Sequence, residues 1–188
     1  SGQGVAGYNV QAAVDDKHNL IVASEVVNDS SDVGQLHTMA KAAKDVLEAE
    51  TLQALADEGY YSSLELKACE DDGIVAYVPI PEGSGYLEKK GRFSLKNFAY
   101  DAVVDAYRCP AGERLKYRFT GVEHGLVMHR YWTNACRTCA IKGRCTTGTE
   151  RRITRWEHEH VLEAVQQRLD ANPQAMREMG RQARKRYE

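Results

Sequence analysis

No stretch of eighteen apolar residues occurs in this chain, and residues 1–80 contain no arginine. The first absence excludes a helical membrane span, which needs about twenty consecutive apolar residues. The opening Ser1-Gly2-Gln3-Gly4 has neither a basic nor an apolar segment and is not expected to be a signal peptide. It also lacks an initiator methionine and enters a strand pattern within a few residues. It reads as a cut made inside a longer protein, so parts of a site are expected to lie outside this chain. Neither a G-x-S-x-G nor a paired Ser/His pattern is present, which argues against a small α/β hydrolase. No internal repeat is visible.

The missing arginines mark an uneven charge distribution. Net charge is −2 over 188 residues. Residues 1–80 are strongly acidic, whereas the remainder is basic. An acidic half suits cations and a basic half suits polyanions; two solvated faces are the plainer reading. An apolar fraction of 43% with 28% charged residues is that of an ordinary globular protein able to bury a core.

Along the chain, Gly7 to Val14 and Leu20 to Val27 read as strands of a hairpin around the polar turn Asp15 to Asn19. Asp32 is suited to cap a helix whose Leu36, Met39, Ala40, Ala43 and Leu47 share one face. Thr51 to Ala56 is a short strand. Ser62 or Ser63 caps a helix through Cys69, stopped at Asp72-Gly73, and Ile74 to Val78 is another strand. The order β-β-α-β-α-β predicts a mixed α/β sheet with helices packed on it. Residues 81–100 lack period and read as a linker, and 98–132 as short β-hairpins. From Arg151 a helical stripe of Ile153, Trp156, Val161, Val165 and Leu169 is predicted, broken at Asn172-Pro173, with a basic helix after it. The expected organisation is a core over 1–80, a β-rich cysteine-containing insertion over 81–150, and basic helices over 151–188.

Five cysteines are present. Cys109, Cys136, Cys139 and Cys145 are grouped in the basic half, and Cys136-Arg137-Thr138-Cys139 is a C-x-x-C. Four thiolates at such spacing suit tetrahedral zinc, and a small β module has little core of its own. Two disulfides or plain buried thiols are the rival readings. Without a secretory signal, and with Cys69 alone on a helix, a reducing compartment is expected. Cys69 itself reads as a core residue.

The segment Leu55-Ala56-Asp57-Glu58-Gly59-Tyr60-Tyr61 runs an apolar strand into a carboxylate. On spacing alone, Asp57 is a turn former. Around it, however, stand Gly7-Tyr8-Asn9-Val10-Gln11-Ala12-Ala13-Val14-Asp15, then Glu25-Val26-Val27-Asn28 followed by Asp32, then Ala56 to Tyr61. Further on come Tyr107-Arg108-Cys109-Pro110-Ala111-Gly112, the three later cysteines, and Arg151-Arg152-Ile153-Thr154-Arg155-Trp156-Glu157-His158-Glu159. This ordered set resembles the transposase domain of bacterial insertion sequences, the Asp-Asp-Glu type with a ribonuclease-H-like fold.

The resemblance implies an α/β, ribonuclease-H-like mixed sheet, here partial and without its first strand. It also implies an enzyme in which three carboxylates hold two magnesium ions and DNA strands are cut and joined by phosphoryl transfer. Asp57 falls on the second aspartate of the family pattern. The first is expected upstream of Ser1, and Asp15 and Asp16, in a hairpin turn, do not replace it. The third matches the region Met176 to Glu188, with Glu188 its remnant unless the chain stops just short of it. Glu157 and Glu159 precede that position and read as a solvated helix face. The chain alone is therefore expected to be inactive.

The implied partners are DNA at the transposon ends and other copies in a transposition complex, without a membrane, in a bacterial cytoplasm. Arg177, Arg181, Arg184, Lys185 and Arg186, with Arg151, Arg152 and Arg155, are the expected phosphate contacts. Tyr131, Trp132 and Trp156 are candidates for stacking on unpaired bases. The alternative is a non-enzymatic, zinc-stabilised DNA-binding module.

Overall fold

A computed structural model describes residues 8–81 and 85–174. The chain divides into two compact units, Ser1–Pro81 with His160–Glu188, and Glu82–Glu159.

In the first unit, β1 (Asn9–Val14) and β2 (Ile21–Val27) pair antiparallel, with a bulge between Ala13 and Val14. The turn between them is closed by Asp15, whose carboxylate accepts from the His18 backbone at 2.7 Å. That bond, more than any other contact, holds the Asp15 carboxyl below its ordinary range. Helix α1 (Leu36–Val46) follows and buries Leu36, Met39, Ala40 and Ala43. Leu47, expected on the same stripe, is the C-cap and stays exposed. Asp32 does not cap this helix: the N-cap is Gln35, which makes no side-chain cap bond.

Next come β3 (Leu52–Leu55), α2 (Ser63–Asp71) and β4 (Ile74–Tyr77), with β3 and β4 parallel. Ser62 caps α2 by accepting from Glu65 N–H, and Gly73 turns the chain out at φ +67°. Among the described residues the expected mixed sheet stands as two separate two-stranded sheets, β1–β2 and β3–β4. The last element, α5 (Glu159–Ala171), carries Val161, Val165 and Leu169 into the same core as Leu36, Ala40, Leu66, Cys69, Ile74, Ala76 and Val78. Full burial of a side chain such as Leu66 contributes roughly 2–3 kcal/mol.

Helices α1 and α2 are tied at their surface by Asp72. Its carboxylate accepts from Lys41 and from the His37 ring, each at 2.7 Å, and its carbonyl accepts from Lys44 at 2.5 Å. Lys41 first, then His37, lowers the Asp72 carboxyl from 3.8 to about 2. A depressed carboxylate stabilises the fold above its unfolded pKa, and that contribution is lost as pH falls through the folded one. Asp72→Asn is therefore expected to lower the urea midpoint at neutral pH. The gap to the parent should shrink below pH 3.8 and close near pH 2. A constant gap across that window would refute the assignment.

The second unit holds α3 (Gly85–Lys89) and a five-stranded antiparallel sheet. Its strands are β5 (Ala99–Asp101), β6 (Ala106–Arg108), β7 (Arg114–Glu123), β8 (Leu126–Trp132) and β9 (Ile153–Trp156), in sequence order. A short helix α4 (Lys142–Cys145) lies between β8 and β9. Two expectations need correction. Residues 85–100 are ordered structure: Ser94 is fully buried, donating to Glu88 at 2.8 Å while its N–H donates to Asn97 at 2.9 Å. Ile153 and Trp156 belong to a strand rather than to a helical stripe. The four residues Ile-Thr-Arg-Trp favour a strand on composition, and a spacing of three over so short a run cannot separate the two periods.

The core of this unit is Phe98, Tyr107, Leu115, Tyr131 and Ile153. The Tyr100 and Tyr131 hydroxyls donate to Asp105 Oδ1 at 2.8 and 2.7 Å. The Arg155 guanidinium lies 3.8 Å from the Tyr100 ring centroid.

Candidate functional site

Asp57 follows β3. Ala56 N–H still donates to the Tyr77 carbonyl at 3.1 Å, so the parallel ladder reaches the residue before it. There the backbone turns into a 3-10 segment (Glu58–Tyr60) for which Asp57 is the N-cap, at φ −79° and ψ 177°. Its Oδ1 accepts from Gly59 N–H at 2.8 Å. The residue is exposed. A parallel pair fixes the backbone, and the turn presents the carboxylate beyond the strand end.

A second carboxylate lies against the same turn. A Cβ built on Gly59 would stand 2.9 Å from Asp57 Oδ1 and 3.6 Å from Asp32 Oδ2. Asp32 is half-buried and held by β1: Asn9 Nδ2 and Gln11 Nε2 donate to its Oδ1 at 2.8 and 2.7 Å. Gln11 is fully buried, and its Oε1 accepts from the Tyr60 hydroxyl. Sequence reasoning gave Asp32 to a helix cap and gave Asn9 and Gln11 no role. The available signal was polar residues at alternate positions of a strand whose intervening Val10 is exposed. Asp15 and Asp16 stay in the hairpin turn. Glu188 and the cluster Arg177, Arg181, Arg184, Lys185 and Arg186 lie outside the described residues.

In the second unit, Cys109 starts a tight turn in which Gly112, at φ +83°, donates to the Cys109 carbonyl at 2.8 Å. Cys136 sits in the 3-10 turn Asn134–Thr138, Cys139 caps its end, and Cys145 ends α4. All four are free thiols lining one pocket with Phe93, Phe98, Leu115 and Ile141. The free thiols do not form the disulfides of the rival reading. Burial, outweighing Arg151, raises the Cys145 thiol. As they stand, the thiols do not converge: among the described residues no group of three or more His, Cys, Asp or Glu side chains is set to hold an ion. Cys69 lies apart in the first unit's core, its thiol pushed up to about 12 by burial.

A family model described as the transposase DDE domain matches residues 1–176. The chain belongs to the transposase DDE domain family. No curated protein and no solved structure matches it. The family cuts and joins DNA, so this transposase domain's basic and aromatic residues matter. Tyr131 and Trp156 are buried and cannot stack on bases as the structure stands. Trp132 is half-buried, with the Arg118 and Arg152 guanidiniums 5.4 and 5.0 Å from its ring centroid. The expected cluster of Arg151, Arg152 and Arg155 is dispersed. Arg155 is buried, Arg151 lies over Phe98, and only Arg152 is exposed, bound to Glu150. No helix among the described residues of the transposase domain is long and apolar enough to cross a membrane.

Proposed function

We propose that the protein carrying this transposase domain cleaves and joins DNA by divalent-metal-supported phosphoryl transfer, with Asp57 as one metal ligand. The observation that carries this reading is the exposed Asp57 carboxylate presented by a turn at the end of a parallel strand pair. The donor set suits magnesium, a hard ion that takes oxygen ligands and keeps several waters. Asp57 offers an oxygen with no hydrogen-bond partner among the described residues, and the bare Gly59 leaves room that a Cβ would fill. The chemistry a bound cation pair supplies is activation of the attacking hydroxyl and stabilisation of the leaving oxygen. The chain's own contribution is to fix one Asp57 oxygen through Gly59 N–H, so that the carboxylate keeps one orientation. With fewer than three carboxylates gathered among the described residues, the isolated chain is inactive on this reading. Its setting is DNA in a bacterial cytoplasm, as a homo-oligomer at the transposon ends of an insertion sequence, within a ribonuclease-H-like core.

In the complete protein, Asp57→Asn is expected to abolish magnesium- and manganese-dependent strand cleavage while the melting temperature stays near the parent's. Cleavage at parental rates by Asp57→Asn would sink the reading.

A second reading is favoured by the cysteine pocket. Four free thiols from three separate segments, lining one otherwise largely apolar pocket, suit a structural zinc ion that would draw the sulfurs inward. Such a site has no open coordination position, so its role is to hold the second unit together. By itself it would suit a non-enzymatic DNA-binding module.

A further inference from the structure

We infer that Gln11 is a positioning residue for the Asp57 turn, an inference that rests on the reading of Asp57 as a metal ligand. Strand β1 turns Val10 and Val14 outward and a glutamine inward, the reverse of what burial of apolar surface favours. Placing a primary amide at 1% exposure is costly unless both of its ends are hydrogen-bonded. Here both are. Nε2 donates to Asp32 Oδ1 at 2.7 Å, and Oε1 accepts from the Tyr60 hydroxyl. The partners fix the amide's orientation, because a carboxylate needs the NH2 end and a flipped amide would set oxygen against oxygen.

Both partners bear on the Asp57 turn. Tyr60 belongs to it, and its N–H donates to the Asp57 carbonyl at 3.2 Å. Asp32 abuts Gly59, whose N–H in turn fixes the Asp57 carboxylate. One buried amide therefore grips the turn through Tyr60 and holds the Asp32 carboxylate beside it. It couples the hairpin β1–β2 to the end of β3, two elements that share no strand pairing among the described residues. A purely structural residue at this site could be apolar. A positioning residue could not, because an apolar side chain of equal size would fill the space and release both Tyr60 and Asp32.

The test uses the complete transposase and three variants: Gln11→Met, Tyr60→Phe and Asp57→Asn. Three quantities are read: the melting temperature, manganese binding by paramagnetic resonance of the free ion, and strand cleavage of a duplex carrying the element's ends. Gln11→Met and Tyr60→Phe are expected to fold and to bind manganese about tenfold more weakly. Misplacing the carboxylate by a fraction of an ångström should slow their cleavage by about ten- to a hundredfold. Part of that loss should return at high manganese, which a structural defect would not show. If both folded variants bind manganese and cleave like the parent while Asp57→Asn is dead, Gln11 does not position the turn. If Gln11→Met does not fold, Tyr60→Phe alone decides by the same criteria. Normal manganese binding and cleavage by Asp57→Asn would overturn the reading of Asp57 itself.

Discussion

If the proposed zinc ion holds the cysteine pocket, stripping metal from the purified protein with a strong chelator is expected to melt the unit Glu82–Glu159 at room temperature. The expectation follows from how little else holds its cysteine end. The core cluster of this unit is five buried residues packed on a five-stranded meander. Cys109, Cys136, Cys139 and Cys145 come instead from tight turns and one turn of helix, outside the strands of the sheet. A structural zinc ion is worth on the order of 10 kcal/mol to a small domain, comparable to a whole domain's stability. Binding must also release thiol protons. Protons compete with the ion for the sulfurs, so zinc should be lost as pH falls. The measurement is thiol counting with a chromogenic disulfide beside native mass. With zinc bound, the four pocket thiols should be shielded. After chelation they should react together, while Cys69 waits for global unfolding, because its thiol is both buried and held protonated. A metal-free protein with an unchanged melting curve would remove zinc from the account and leave four plain thiols in a pocket.

What could be read from the sequence divides along physical lines. Elements set by local pattern were legible. The alternation in Asn9–Val14, the strand formers of Ile21–Val27, the stripe from Leu36 to Ala43, a serine cap at 62 or 63 and the stop at Gly73 each follow from a few neighbouring residues. The strand Ile153–Trp156 was missed, because so short a run fits either period and its strand-favouring composition was outweighed by the helical stripe that follows; pairing with β8 makes it a strand. Nor was the buried role of Arg155, whose charge is held over the Tyr100 ring by contacts far apart in sequence. At the candidate site, Asp57 was visible because a strand end and a turn are local features. Its setting was not: Asn9, Gln11 and Asp32 reach it only through the tertiary fold, across separations that no spacing rule spans. The local oddity they leave behind is a strand that buries Gln11 and exposes Val10 and Val14, and such a departure from patterning marks a functional or strained site.

Gly59→Ala is expected to reduce strand cleavage by the complete transposase about a hundredfold without changing its fold, since small misplacements of a reacting group carry penalties of that order. Two facts make the effect selective. First, the Gly59 backbone is not in the left-handed region, so an alanine there meets no conformational strain. Second, the added methyl would stand 2.9 Å from Asp57 Oδ1 and 3.6 Å from Asp32 Oδ2, against the ends of two side chains rather than against backbone. Side-chain ends yield cheaply. The Asp57 carboxylate would rotate away, breaking its bond to Gly59 N–H, and exposed as it is, it would find water instead. The stability cost of exchanging one exposed hydrogen bond for another is about 1 kcal/mol or less. The cost to the proposed chemistry is far larger, because the oxygen meant for a cation would point elsewhere. Melting temperature within a few degrees of the parent, manganese binding weakened and cleavage nearly lost is thus the expected signature. Gly59→Ala with parental cleavage would mean that the room beside Gly59 is unused, and that the two aspartates stand together for the turn alone.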